Sequence, residues 1–249
     1  MDPQLRPLFE AATRPYARAG QYAWHFARGK LRHDPVFFSL LRLGLLPDRG
    51  SLLDLGCGQG ILLSLLKAAK EQYQAGLWPR DWPAPPLNLG SRGIELSERR
   101  VRAARIALGD AQVIQGDLRE LELPQCSAIV MLDVLFYLAK EEQKRLIDKA
   151  AGALAPGGLL LVRETDAGGG FAFAMSRWSE RFAAILRGEF RQQTHYRSAA
   201  DWIGELEGRG FSVESQPMSE GTPFSNVLFV ARKAGPEAAR VRPRSGFKR

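Results

Sequence analysis

The stretch DLGCGQG, Asp54 to Gly60, sets a carboxylate at the end of an apolar run and then a glycine at every second position, Gly56, Gly58 and Gly60. Without Cβ atoms the backbone turns tightly and a ligand comes close. A helix starting beyond the loop adds free N–H groups and a positive dipole end. The spacing is G-x-G-x-G rather than G-x-G-x-x-G. A pyrophosphate gains nothing from the carboxylate of Asp54, whereas a cationic ligand does. Three more carboxylates end or follow apolar runs: Glu95 in GIELS, Asp117 in IQGDL and Asp133 after IVML. Three histidines, His25, His33 and His195, can exchange a proton near neutral pH. The two cysteines, Cys57 and Cys126, form no disulfide framework and no metal-ligand cluster, so no metal is expected.

Those carboxylates need strands and helices to carry them to one place. SLLDL (51–55), GIEL (93–96), AQVIQGD (111–117), SAIVMLDV (127–134) and LLLVRE (159–164) read as five short strands. Between them lie helical patterns at 61–72, at 97–108 with Ser97 as N-cap, and at 141–154, stopped by Pro156, Gly157 and Gly158. Strands apolar throughout and separated by helices predict a parallel sheet covered on both faces. A helix at 198–210 precedes FSVESQ and NVLFVARK, two strands joined by a loop alone, so this end of the sheet is expected to be antiparallel. The fold class is α/β: a doubly wound, mostly parallel seven-stranded sheet with a reversed final strand. Residues 1–48 are expected as an N-terminal helical cap on a domain spanning 49–233. Within that domain, residues 76–92 form a Trp/Pro-rich insertion and residues 166–197 a helical one. Trp78 and Trp82 favour the first as a wall beside a substrate.

The chain has 249 residues and a formal net charge of +8. Six of those charges fall in residues 232–249, so the body is nearly balanced. Residues 234–249 read as a basic, disordered tail that offers at most a weak contact to a membrane surface; no specific nucleic-acid partner is expected. No apolar run approaches the ~18 residues of a membrane span. The first residues lack a basic-then-apolar leader pattern, and a cytoplasmic location is expected. The oligomeric state is left open.

LLDLGCGQG resembles the first motif of class I S-adenosylmethionine-dependent methyltransferases, and GIELS, IQGDLREL, IVMLDVLFYL and LAPGGLLLVRE resemble their later motifs in the same order. The resemblance implies a Rossmann-like methyltransferase fold with S-adenosyl-L-methionine as cofactor and S-adenosyl-L-homocysteine as product. It assigns the cofactor to Asp54, Gly56, Cys57, Gly58, Gly60, Glu95 and Leu96, with Glu95 on the ribose hydroxyls. Asp117 would bond the adenine amino group and Leu118 would pack beside the ring. Asp133 would face the transferred methyl, as cofactor ligand or as base. Glu95 lies further beyond the glycines than the ~20 residues usual for a ribose carboxylate, a surplus that the 76–92 insertion explains.

Methyl transfer to oxygen requires removal of a proton, and a phenol, with a pKa of ~10, is assisted by a base. His195 is the first choice, with Asp133 and His25 as alternatives. Arg28 and Lys30 are expected to hold the cofactor carboxylate, and Tyr137 and Trp24 to line the acceptor pocket. The expected function is methylation, at oxygen or carbon, of a small apolar, phenolic or lipid-like acceptor. The alternatives are an RNA or protein methyltransferase using the basic tail, or a non-catalytic cofactor-binding partner subunit. Leu132-Asp133-Val134-Leu135 is not the Asn/Asp-Pro-Pro-aromatic signature of amino-group methylation.

Overall fold

The computed structural model describes residues 3–109, 112–170, 193–222 and 224–235. Three helices come first: α1 (Arg6–Thr13), α2 (Gln21–His33) and α3 (Val36–Arg42), with a 3-10 turn at Arg14–Ala19. The strands are β1 (Arg49–Leu55), β2 (Asn88–Glu95), β3 (Val113–Gln115), β4 (Cys126–Leu132), β5 (Leu154–Thr165), β6 (Phe211–Pro217) and β7 (Asn226–Lys233). Helices α4 (Ile61–Gln74), α5 (Glu98–Leu108), α6 (Lys140–Ala153) and α7 (Ala199–Glu207) lie between them. Most of the expected helical insertion at 166–197, and the tail from residue 236, fall outside the described residues.

The strands form one sheet in the order β3-β2-β1-β4-β5-β7-β6. All the pairs from β3 to β5 are parallel, and β7 runs antiparallel to both β5 and β6, so the final strand is the reversed one. Both faces of the central strands β4, β5 and β7 are buried over most of their length, so there residue parity chooses the face. Leu52, Val130 and Leu161 pack with α4 and the N-terminal helices. Leu53, Ile129, Met131, Leu160 and Val162 pack with α6 and α7 on the other side. Leu8 and Phe9 of α1 and Leu31 of α2 lie in the same core as Leu62 and Leu65 of α4, so the helices ahead of β1 are built into the sheet's covering layer.

Two boundaries differ from the sequence reading for local reasons. β5 starts at Leu154, where Leu154 pairs with Cys126; the register then slips to Ala128 opposite Leu159, and Pro156-Gly157-Gly158 sits in that irregularity instead of before the strand. β2 starts at Asn88, inside the segment read as irregular, with the Asn88 N–H donating to the Asp48 carbonyl at 3.0 Å.

The remainder of the 76–92 segment is not a wall beside the site. Trp78 and Trp82 pack edge to face 5.7 Å apart, Trp82 meets Phe38 at 6.4 Å, and Trp78 Nε1 donates to the Pro83 carbonyl at 2.9 Å. The reason is topological. A helix after a parallel strand returns the chain to the sheet edge where strands begin, whereas ligands sit at the edge where they end. The segment joins α4 to β2 and so closes the edge opposite the glycine loop.

Candidate active site

β1 delivers Asp54 and Leu55 to the ligand-binding edge, and α4 begins at Ile61. The intervening loop is shaped by glycines in the left-handed region. Gly56 has φ +75°, and a Cβ there would lie 2.5 Å from Val134 Cγ2. Gly58 has φ +59°, but a Cβ there would meet nothing within 4 Å. Packing therefore explains Gly56, while Gly58 opens onto free space that a ligand can approach. Gly60 ends the loop, its carbonyl accepting the Ser64 N–H at 3.0 Å in the first turn of α4. From the N-terminal layer, the buried Tyr16 hydroxyl donates to the Gln59 carbonyl at 2.8 Å, and Ser64 Oγ donates to the Ala12 carbonyl at 2.7 Å. Cys57 is buried; its N–H donates to the Ile94 carbonyl, and burial raises its thiol pKa.

Glu95, 5% exposed at the end of β2, fastens this loop to the neighbouring strand. It accepts the Gly58 N–H at 2.9 Å on one carboxylate oxygen and the Ser97 N–H at 2.8 Å on the other. That second bond uses the N–H of Ser97, whose side chain makes no cap hydrogen bond. Arg100 Nη1 stands 3.6 Å from the second oxygen, beyond hydrogen-bond reach, so each carboxylate oxygen keeps a lone pair, enough for a diol. Asp54 is 3% exposed, and its carboxylate makes no hydrogen bond among the described residues. Burial, reinforced by the charge of Glu95, pushes its carboxyl up to about 7. Leu96 stands exposed beside them and Leu118 is buried. Asp117 turns its carboxylate to Arg119, with contacts of 2.6–3.0 Å that hold its pKa down.

A second feature opens on the β4–β5–β7 side, a cavity of about 370 Å³. Phe26, Pro35, Phe136 and Phe224 supply apolar lining, and Thr165, Thr222 and Asn226 supply neutral polar groups. Its charged side chains are Lys30 and Asp34 from the N-terminal helices, Asp133 after β4 and Arg163 on β5, with His33 also lining it. Arg163 is 1% exposed and sits between two carboxylates: Nε donates to Asp133 Oδ1 at 2.9 Å and Nη2 to Asp34 Oδ2 at 2.9 Å, with a further close contact to each. Lys30 Nζ lies 3.1 Å from Asp34 and 3.7 Å from Asp133. Two cations thus face two anions. Burial alone would raise the Asp34 pKa, but Arg163 and Lys30 outweigh it and hold the carboxyl at about 2.

The turn that carries Asp133 is clamped from below. Asp133 has φ +58°, a left-handed conformation that costs a non-glycine residue on the order of 1 kcal/mol. Glu164, buried and next to Arg163, accepts the Leu135 N–H at 2.8 Å and the Phe136 N–H at 3.3 Å. Burial and the charge of Asp133 push its carboxyl up to about 8 against those donors.

A family model described as a methyltransferase domain matches residues 23–216, a span that takes in the glycine loop, Glu95, Asp117, Asp133 and Arg163. The chain belongs to the methyltransferase-domain family. It is 27% identical over 133 residues to a carboxy-S-adenosyl-L-methionine synthase of Chromohalobacter salexigens, a match covering 49% of this chain and 44% of that protein. Against a trans-aconitate 2-methyltransferase of Rhizobium meliloti it is 32% identical over 126 residues, covering 50% and 42%. The chain spans about half the length of the curated relatives it matches. In fold it is similar to a magnesium protoporphyrin IX methyltransferase of Synechocystis, solved with bound S-adenosyl-L-homocysteine, with a TM-score of 0.56 and 20% identity over 94% of this chain and all of the other. The cofactor of this methyltransferase family is S-adenosyl-L-methionine, and the strand-end cradle fits it: an unbonded buried carboxylate suits a cation, a bare Gly58 leaves room, and Glu95 keeps lone pairs for a ribose.

The structure brings Asp54, Gly56, Cys57, Gly58, Gly60, Glu95, Leu96, Leu118 and Asp133 to one edge of this methyltransferase sheet. Other expected site residues lie elsewhere. Arg28 pairs with Glu10 at 2.8 and 3.1 Å and lies over the rings of Phe9 and Trp24. Lys30 reaches the two cavity carboxylates, Asp34 and Asp133. Trp24 packs against the core and Arg28, and exposed His25 packs beside Trp24, 4.8 Å between ring centres; neither lines the cavity. The backbone of His195 is fixed to the turn after β4, its N–H donating to the Phe136 carbonyl at 2.7 Å and its carbonyl accepting from Gln143 at 2.8 Å, and His195 does not line the cavity. Tyr137 packs on Phe136, 4.2 Å between ring centres, and it is Phe136 that lines the cavity.

Phe26, His33, Asp34, Arg163 and Glu164 are the residues the sequence reading passed over. A signal was present: Phe26, Gly29, Lys30 and His33 recur at helical spacing along one face of α2, and Arg163-Glu164 puts two charges at the end of an apolar strand.

Proposed function

We propose that this methyltransferase transfers the methyl group of S-adenosylmethionine to oxygen or carbon of a small apolar or phenolic acceptor held in the cavity. The observation that carries the reading is shared residue placement. Val134 packs on Gly56 of the cofactor loop, while its neighbour Asp133 lines the cavity, so the two sites meet at one strand end.

When bound, the cofactor supplies an activated methyl group whose electrophilicity comes from its own positive charge. The chain's residues align and enclose. Asp54 offers a negative charge to the cationic end, Glu95 anchors the ribose hydroxyls, and Gly58 leaves the loop open to close approach. Asp133, held by Arg163 and by the turn beneath it, sits at the junction. Phe26, Phe136 and Phe224 exclude water around the acceptor. Holding two reactants in line contributes much of the acceleration such a reaction needs. The neutral balance of Lys30 and Arg163 against Asp34 and Asp133 favours an uncharged acceptor.

The test combines calorimetry with methyl-labelled S-adenosylmethionine. Micromolar binding is expected, with label passing into the organic extract when simple phenols are supplied. Absence of binding, or label recovered only in RNA or protein, would overturn the reading.

A further inference from the structure

We propose that His33, at the C-terminus of α2, is the base that takes the proton from the acceptor hydroxyl. This rests on the acceptor reading above, and it replaces His195, His25 and Asp133 in that role.

The inference follows from the cavity lining. Among the described residues, five side chains there carry charge or can exchange a proton: Lys30, His33 and Asp34 from the N-terminal layer, Asp133 from the turn after β4 and Arg163 from β5. Lys30 and Arg163 are cations with no lone pair to offer. Asp34 accepts from Arg163 and Lys30. Asp133 accepts from Arg163 on both oxygens and lies 3.7 Å from Lys30. A carboxylate held by two cations is a poor proton acceptor. The neighbouring lining contributed by β7 and the loop before it, Asn226, Thr222 and Phe224, does not titrate. The His33 ring makes no hydrogen bond or ion pair among the described residues and is exposed, so it can both receive a proton and pass it to water. It also follows Gly29 and Lys30 on the face of α2 that Phe26 begins, which sets it along the same wall as the aromatic lining.

In the step this assigns, a bond forms between the acceptor oxygen and the transferred carbon. The bond from that carbon to sulfur breaks, and sulfur keeps the electron pair. The hydroxyl proton moves to a ring nitrogen of His33 and from there to solvent.

4-Nitrophenol tests this without turnover, because its neutral and ionised forms differ in colour. Wild-type protein loaded with S-adenosylhomocysteine is mixed with 4-nitrophenol at pH 6, where the free phenol is mostly neutral. The colour of the ionised form should appear on binding and be absent in His33→Gln. The same colour in both proteins, or none in the wild type, overturns the proposal. In the turnover arm at pH 8.5, His33→Gln should methylate unsubstituted phenol about 10²-fold more slowly, within the range for loss of a general base, while 4-nitrophenol, already ionised, should stay within about threefold. Equal losses on both phenols also overturn it. Calorimetry with S-adenosylmethionine on the same proteins separates failure of the cofactor reading from failure of the base assignment, since His33→Gln should bind the donor as the wild type does.

Discussion

Replacing Asp54 with asparagine should make the ligand-free protein more stable and a worse binder of its donor. Burial beside Glu95 lifts the Asp54 carboxyl to about 7, against ~3.9 for a free aspartate. Ionising it in the fold without a ligand therefore costs at most ~4 kcal/mol, at ~1.4 kcal/mol per pKa unit. The direction follows from linkage. The folded state holds this proton more tightly than the unfolded chain, so the group's stabilising contribution is full below about pH 4. It declines as pH rises and is gone above about 7. Asparagine has nearly the same shape and no charge, but its buried amide lacks partners, which takes back ~1–3 kcal/mol. A net gain of ~1–3 kcal/mol at pH 8 is expected, or roughly 2–12 °C in Tm for a chain of this size. At pH 5 Asp54 is protonated in the fold and ionised only in the unfolded chain, leaving ~1.5 kcal/mol of the cost, which the unpaired amide cancels, so the advantage should vanish. Affinity for S-adenosylmethionine should fall at least ~10-fold, equivalent to ~1.4 kcal/mol. Thermal unfolding at the two pH values and calorimetry at pH 8 measure all of this. An Asp54→Asn protein destabilised equally at both pH values, with unchanged affinity, would refute the idea of a carboxylate kept in wait for a cation.

Three further outcomes follow from the same geometry. Gly58→Ala should cost ~1–2 kcal/mol of stability for its left-handed backbone yet weaken donor binding more than ~10-fold, whereas Gly56→Ala, which must also displace Val134, should lose considerably more stability; denaturant titration and calorimetry separate the two. Glu95→Ala should weaken S-adenosylmethionine binding at least ~10-fold while Arg28→Ala, whose partner is Glu10, changes it less than about twofold by the same calorimetry. Asp34→Ala leaves buried Arg163 with one carboxylate and should destabilise the fold by ~3 kcal/mol, within the range for breaking a buried pair, read as a lower urea midpoint.

The sheet was legible because its buried strands carry apolar cores, the LL of SLLDL, the AIVML of SAIVML and the VLFVA of NVLFVARK, and glycines punctuate the turns. The cofactor edge was legible for a related reason, since carboxylates such as Asp54 and Glu95 stand out at the ends of apolar runs. The cavity was hidden because it is assembled from distant pieces. Asp34 and Arg163 are 129 residues apart and meet only through the tertiary fold. The two tryptophans of the 76–92 segment misled because aromatic content says nothing about which sheet edge a loop closes, whereas its position after a helix does. Phe26 and His33 line the cavity while Trp24 and His25 do not, because adjacent residues on α2 diverge by about 100°.

Arg163 and Glu164 are chain neighbours, and alternation sends them to opposite sides of β5. The guanidinium meets acidic groups above the sheet, and the carboxylate meets backbone donors below it. Sliding this strand by one residue would exchange them, setting acid against acid on one side and a cation against N–H groups on the other. The dipeptide therefore works as a parity check on threading. Insertions or deletions of a single residue between 159 and 163 would be rejected by charge before any loss of apolar packing is counted, and two-residue changes, which restore parity, would be the smallest that the strand could absorb.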